Sequence, residues 1–221
     1  MPLTVISFAT YLTAPPEIWR EDDSAAYKFV QAIKHKPFKG YGYVPVNGTR
    51  LRLNQDNATD AIGWFAIMAA DAMDGFVFDY PPVLVPVPNS DCAVSNETIP
   101  RTLAQARELS ARLKGSSVLD CLRWDKVMPS ASKQGGTRHP QILYDNLSLT
   151  AKLPKKREFI LIDDVKTTGG HLQAARSMFL DREGVCDLAV CAARTVKVQS
   201  PQIFGPDIEE LADWRPTESL Y

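Results

Sequence analysis

At 221 residues, with 45% apolar and 23% charged side chains, the chain can bury a substantial core and is too ordinary in composition for a fibrous or disordered protein. Its formal net charge of −1 lacks the basic excess of a protein that holds nucleic acid mainly through phosphates, leaving only a local basic patch for such a role. No uninterrupted apolar run approaches the ~18 residues of a membrane span, and no pair among Cys92, Cys121, Cys186 and Cys191 has Cys-x-x-Cys spacing.

The first residues, MPLTVISFATYLTAPPE, have no basic leader before their apolar part, and Pro15-Pro16 cuts that part short. They read as a strand at 3–8 rather than as a signal peptide, and the chain as a cytoplasmic protein without a membrane partner. DDSAAYKFVQAIKHK opens with capping residues and sets Ala26, Phe29, Val30 and Ile33 at helical spacing. YGYVPVNGTRLRL predicts a hairpin, because Asn47-Gly48 suits a type I′ turn in which both central residues need positive φ. Pro45 places its strand at an edge. DNATDAIGWFAIMAADAM predicts a helix with Ile62, Phe65, Ala66 and Ala69 on one face.

The pattern then changes. PVLVPVP is a short apolar strand bounded by prolines, and NETIPRTLAQARELSARLKG a helix with Leu103, Ala106, Leu109 and Leu113 inward and Gly115 as its stop. SSVLDCLRW predicts a second strand. Residues 125–141 show no apolar period, and a gap of that length in a compact domain is usually functional or disordered. EFILID is a third, buried strand, followed by a helix at about 170–181 and a fourth strand, VCDLAVCAA. From 198 onward, Pro201, Pro206 and Pro216 predict a tail lying over the surface. Strands alternating with helices predict an α/β fold with a parallel sheet and right-handed crossovers, and ligands on such sheets bind beyond the carboxyl ends of the strands.

The chemistry concentrates in ILIDDVKTTGGH. Asp163 and Asp164 close a buried strand, where two adjacent carboxylates repel and neither tolerates burial unpaired. The vicinal hydroxyls of a sugar satisfy such a pair by donating hydrogen bonds, and a hydrated Mg²⁺ neutralises it. Thr167 and Thr168 add hydroxyl donors, while Gly169 and Gly170 let backbone N–H groups approach a ligand closely. The helix that follows presents unpaired N–H groups and a positive dipole end, a natural phosphate site. An acid pair alone is an ordinary strand end; the order strand, acids, Thr-Thr-Gly-Gly, helix is far more specific.

At these residues the sequence resembles the type I phosphoribosyltransferases. ILIDDVKTTGG is similar to their signature for phosphoribosyl pyrophosphate (PRPP). The resemblance implies that Asp163 and Asp164 hold the ribose hydroxyls and, directly or through water, Mg²⁺. It also implies that Thr167, Thr168, Gly169, Gly170 and His171 cradle the 5′-phosphate. VLVPVPNSD resembles the first strand and pyrophosphate loop, which assigns Asn89, Ser90 and Asp91 to pyrophosphate or its metal. Residues 125–141 resemble the mobile loop that closes over PRPP, bringing Lys126, Lys133 and Arg138 to the pyrophosphate. Within the superfamily the resemblance is nearest to the ComF-like group. It rests on AYKFVQAIKHK, LVPVP, LAQARELSARL, Arg123, Gln134, Arg138, Asn146, LIDDVKTTGG and AAR at 192–194, over roughly residues 25–195. The chain departs from that group in lacking an N-terminal cysteine zinc module, in adding the Asn47-Gly48 hairpin, and in placing His171 where Thr or Ser is usual.

The resemblance implies three segments: a hood of helices and hairpin at 1–80, a phosphoribosyltransferase core at 81–197 and a surface tail at 198–221. It implies an enzyme, a glycosyltransferase that moves a 5-phosphoribosyl group from PRPP to a nucleobase or amine and releases pyrophosphate, with Mg²⁺ as cofactor and a homodimer as a common arrangement. The alternative is a non-catalytic PRPP- or nucleotide-binding module, including a ComF-like accessory role in DNA uptake. For that role Lys152, Lys155, Lys156 and Arg157 offer basic charge, although a solvated turn is the favoured reading of the cluster. A receiver domain, whose acidic strand ILIDD resembles, is strongly disfavoured, since that fold places the acid pair after its first strand and several strands precede it here.

Overall fold

The computed structural model describes residues 2–129 and 137–217. Among the described residues the order is β1 (Leu3–Leu12), α1 (Glu21–Ile33), β2 (Gly42–Val46), β3 (Thr49–Leu53), α2 (Asp60–Met73), β4 (Pro82–Pro86), α3 (Thr102–Ser110) and β5 (Ser117–Val118). There follow β6 (Leu122–Trp124), α4 (Pro140–Tyr144), β7 (Leu147–Leu149), β8 (Glu158–Lys166), α5 (Gly170–Leu180), β9 (Val185–Val196) and β10 (Phe204–Leu211).

Six strands form one sheet in the spatial order β10-β1-β9-β8-β4-β5. Five run parallel, and β10 alone among them runs antiparallel, along the outer edge of β1. This is a mixed α/β fold with a mostly parallel central sheet. The inner strands are buried on both faces, which is why they read as continuous apolar runs. On one face Phe8, Leu84, Ile160 and Ile162 pack under α1, α2 and α3 through Phe29, Ile33, Phe65, Ala106 and Leu109. On the other, Val5, Val85, Phe159 and Leu161 pack under α5 through Leu172, Ala175 and Phe179.

The hairpin forms a separate two-stranded sheet, β2 with β3, and its turn has φ of 49° at Asn47 and 75° at Gly48, as a type I′ turn demands. Two elements differ from the sequence expectation. The run SSVLDCLRW is broken: β5 joins the main sheet, whereas β6 pairs with β7 in a small sheet of its own. The break falls at Asp120, whose carboxylate turns back onto the Arg123 guanidinium at 2.5 Å and so stays out of the apolar sheet. The segment after 198 supplies β10 to the main sheet. Pro206 is tolerated there because the strand is an edge and the register slips at Gly205-Pro206, where two residues face one on β1. The sheet thus draws strands from the first 80 residues, from the middle and from the last part of the chain.

Connectivity fixes where a ligand would sit. From β4 the chain passes through α3 to β5 on one side, and from β8 through α5 to β9 on the other. α3 and α5 lie on opposite faces. The order therefore reverses between β4 and β8, and the crevice beyond their carboxyl ends is a topological switch point.

Candidate functional site at the switch point

Two segments meet in this crevice: the loop from Val87 to Arg101 after β4, and the end of β8 with the turn into α5. They are joined at their base by the Val87 N–H, which donates to the Ile162 carbonyl at 2.9 Å. β8 runs two residues past the acid pair, to Lys166, because Asp163, Val165 and Lys166 still pair with β9.

The acids are treated differently. Asp164 is buried and carries two cations: the Lys34 ammonium of α1 at 3.8 Å from Oδ1 and the Arg101 guanidinium at 3.3 Å from Oδ2. Asp163 is half-buried and accepts the Asp164 backbone N–H at 2.8 Å. Loss of solvent around its carboxyl, reinforced by the Asp164 charge, pushes its pKa up to about 7, while that hydrogen bond and the charges of Lys34 and Arg101 pull the other way. Neither Lys34 nor Arg101 stands out in the sequence. Lys34 closes an amphipathic helix and Arg101 follows a proline, and only the tertiary packing brings them to Asp164.

The turn that follows is built for close approach. Gly169 adopts φ 85°, and α5 begins at Gly170 with no side chain among the described residues capping its first N–H groups. A Cβ at Gly170 would stand 2.0 Å from the Arg138 carbonyl oxygen, and one at Gly169 would meet the Leu211 side chain at 2.5 Å. The glycines admit these two neighbours as well as exposing the turn. Thr168 is exposed and Thr167 half-buried.

His171 packs its ring edge against the Trp124 indole, with centroids 5.6 Å apart and planes at 77°. Burial lowers its pKa from the ordinary histidine value, the Asp164 charge opposing this and the Arg138 charge adding to it. Trp124 in turn donates its Nε1–H to the Asn89 carbonyl at 3.1 Å. The Asn89 side chain is engaged within its own loop: Oδ1 accepts the Arg101 N–H at 2.9 Å, and Nδ2 donates to Asp91. The Ser90 carbonyl accepts the Met128 N–H at 2.8 Å, tying the start of the 125–141 segment to this loop.

The structure therefore brings together Asp163, Asp164, Thr167, Thr168, Gly169, Gly170, His171 and Arg138, with Asn89, Ser90 and Asp91 on the opposing loop. Lys126 is exposed, and Lys133 lies outside the described residues. Among the described residues the buried Nε of Arg101 has no hydrogen-bond partner. Among the described residues no helix is long and apolar enough to cross a membrane.

No family model matches the chain, and no curated protein matches it in sequence. Among solved structures, the chain is similar to adenine phosphoribosyltransferase from Thermoanaerobacter pseudethanolicus, at 16% identity over 75% of this chain and 87% of that one, with a TM-score of 0.42. It is similar to adenine phosphoribosyltransferase from Trypanosoma brucei in complex with AMP, pyrophosphate and ribose-5-phosphate, at 10% identity over 87% of each chain and a TM-score of 0.41. A hypoxanthine phosphoribosyltransferase from Staphylococcus aureus follows at 11% identity, covering 63% of this chain and 67% of that one, with a TM-score of 0.36.

Proposed function

We propose that the chain is a type I phosphoribosyltransferase, which moves a 5-phosphoribosyl group from PRPP to a nucleobase or amine and releases pyrophosphate. One observation carries the reading: an acid pair, an uncapped helix N-terminus entered through Thr-Thr-Gly-Gly, and two inward cations converge at a single switch point. Each part answers one part of PRPP. The ribose hydroxyls donate to Asp163 and Asp164. The 5′-phosphate takes the N–H groups of the turn and of the first turn of α5, with the hydroxyls of Thr167 and Thr168. The pyrophosphate lies toward the Asn89–Asp91 loop, where Arg101 has a buried donor to offer.

As the bond from C1 to pyrophosphate breaks, the ribose gains positive charge and the leaving group negative charge. Fixed carboxylates stabilise the first, and Arg101, Lys34 and Arg138 the second. Among the described residues no cluster of three or more His, Cys, Asp or Glu side chains could cage a metal. The acid pair nevertheless fits Mg²⁺, which keeps several waters and needs only one or two carboxylates plus phosphate oxygens. Asp163 and Asp164 would hold it, and it would supply positive charge to the departing pyrophosphate.

The second reading is the same pocket without turnover, favoured by the ion pairs that already occupy Asp164. Calorimetry of PRPP with Mg²⁺ tests the site: binding by the parent and its loss in Asp163→Asn/Asp164→Asn are expected, and undiminished binding in the variant would refute the assignment. Pyrophosphate release on adding a panel of nucleobases and amines supports the enzyme; PRPP binding without release supports the module.

A further inference from the structure

At the opposite end of the sheet lies a second concavity, of about 590 Å³. Its walls come from the segment between β7 and β8, from Tyr80 just before β4, and from the turn between α5 and β9. All three sit at the amino ends of the strands. Arg157 is seven residues before Asp164 on β8, so the cleft lies roughly 20 Å from the acid pair at ~3.3 Å per strand residue.

The lining is strongly one-signed. Lys152, Lys155, Lys156, Arg157 and Arg182 face a single carboxylate, Glu183, in a chain whose net charge is −1. None of the five takes part in an ion pair among the described residues; Arg182 donates one N–H to the Met178 carbonyl. A solvated turn explains lysines on one segment, but not their convergence with Arg182 from a different connection around one cavity. The turn that carries Glu183 is fixed by the end of α5, where the Glu183 and Gly184 N–H groups donate to the Leu180 and Phe179 carbonyls and Glu183 takes the left-handed φ of 59° usual after a helix, so Arg182 is held at the wall of the cavity by the helix terminus. The remaining walls are apolar: Phe159 is buried at the floor, and Tyr80, 41% exposed, stands at the rim with its N–H fixed on Glu158.

We propose that this cleft is a second binding site, for a nucleoside polyphosphate. The phosphates would lie among the lysines and arginines, and the planar base against Tyr80. The volume falls in the ordinary range for small-molecule sites. A single-stranded nucleic acid would want a groove with a succession of stacking rings, and here one exposed ring borders the cavity.

Calorimetry of the intact protein with ATP and with inorganic tripolyphosphate, at physiological salt, tests the proposal. Saturable ATP binding that weakens as salt rises is expected, falling about tenfold or more in Lys152→Gln/Lys155→Gln/Lys156→Asn. Asparagine at 156 tolerates the left-handed φ of 55° there, and the exposed single variant Lys155→Gln, expected to weaken binding severalfold, serves if the triple variant misfolds. Tyr80→Ala is expected to weaken ATP and spare tripolyphosphate. Asp163→Asn/Asp164→Asn is expected to leave ATP binding at the cleft unchanged, which separates this site from the switch point. Three results would overturn the proposal: no saturable ATP binding at millimolar concentration, binding that survives the triple variant but not the acid-pair variant, or an oligodeoxythymidine that displaces ATP at far lower concentration.

Discussion

Arg101 and Asp164 face each other across the crevice at 3.3 Å, the guanidinium anchored on the loop after β4 and the carboxylate on β8. Asp164 is buried and Arg101 about one-third exposed, so the pair links the two walls of the proposed site. Among the described residues Arg101→Gln leaves Asp164 its ion pair with Lys34 alone, and a loss of about 1–2 kcal/mol in urea denaturation is expected from one broken charged hydrogen bond. The same variant is expected to bind PRPP at least about tenfold more weakly, the ~1.4 kcal/mol of one charged contact. Ribose-5-phosphate, which has no pyrophosphate, is expected to keep its affinity. Equal losses for both ligands would place Arg101 on the ribose side.

Asp163 gives a stability signature of its own. Its folded pKa is raised, so between the ordinary carboxylate value near 4 and about pH 7 the folded state holds more protons than the unfolded one. Stability contributed by this group is therefore greatest in acid and is lost as pH rises through that window. Asp163→Asn is expected to raise Tm at pH 8 and to have a smaller effect near pH 4, while abolishing PRPP binding. A Tm lowered at pH 8 would mean that the carboxylate is stabilised by groups other than those seen around it.

How much of this was legible beforehand depends on how local each feature is. The hairpin turn, the strand-turn-helix from Glu158 to Leu180 and the acid pair are written in consecutive residues, and their physics is satisfied within a few positions. β10 was not legible, because an edge strand needs an apolar pattern on one face only, and FGPDIEEL hides it behind a proline and three acids. The break between β5 and β6 was hidden because SSVLDCLRW reads as one strand, in which Asp120 passes for an outward-facing residue rather than the point of departure from the sheet. Lys34 and Arg101 lie 130 and 63 residues before Asp164, so nothing near the acid pair announces them. The amino-end cleft likewise joins residues from separate connections, of which only the 152–157 cluster is visible as a run.

The two glycines of the turn should fail in different ways. Gly170→Ala places a Cβ against the backbone carbonyl of Arg138, which cannot step aside as a side chain can. A destabilisation of about 2–3 kcal/mol is expected, typical of overpacking, together with loss of 5′-phosphate binding. Gly169→Ala meets the flexible end of Leu211 and the strain of a left-handed φ, for about 1–2 kcal/mol. Adding Leu211→Ala relieves the steric part only. Thermal melts of the two single variants and of the double variant check the order; a Gly170→Ala milder than Gly169→Ala would show that Arg138 does not press on the turn.

His171 departs most clearly from the Thr or Ser common in the resembling family, and its surroundings explain how the turn accommodates an imidazole. The ring rests on Trp124, and burial lowers its pKa. Below the ordinary histidine value of 6.5 the unfolded chain takes up this proton before the folded one does, so stability is lost as pH falls through the depressed folded pKa. His171→Thr is expected to cost about 1 kcal/mol at pH 7.5 through the lost aromatic contact, and to cost less near pH 5.5, where the wild-type ring is under pressure to charge. This dependence opposes that of Asp163 over the same range, so it must be read from the difference between parent and variant melts. In PRPP binding the two proteins are expected to run parallel from pH 7 to 8, because burial disfavours the charged ring. Below pH 6.5 a bound phosphate would hold a proton on the ring, and the parent is expected to tighten relative to His171→Thr. Parallel profiles down to pH 6 would assign His171 to packing under Trp124 and leave the phosphate to the turn's own N–H groups.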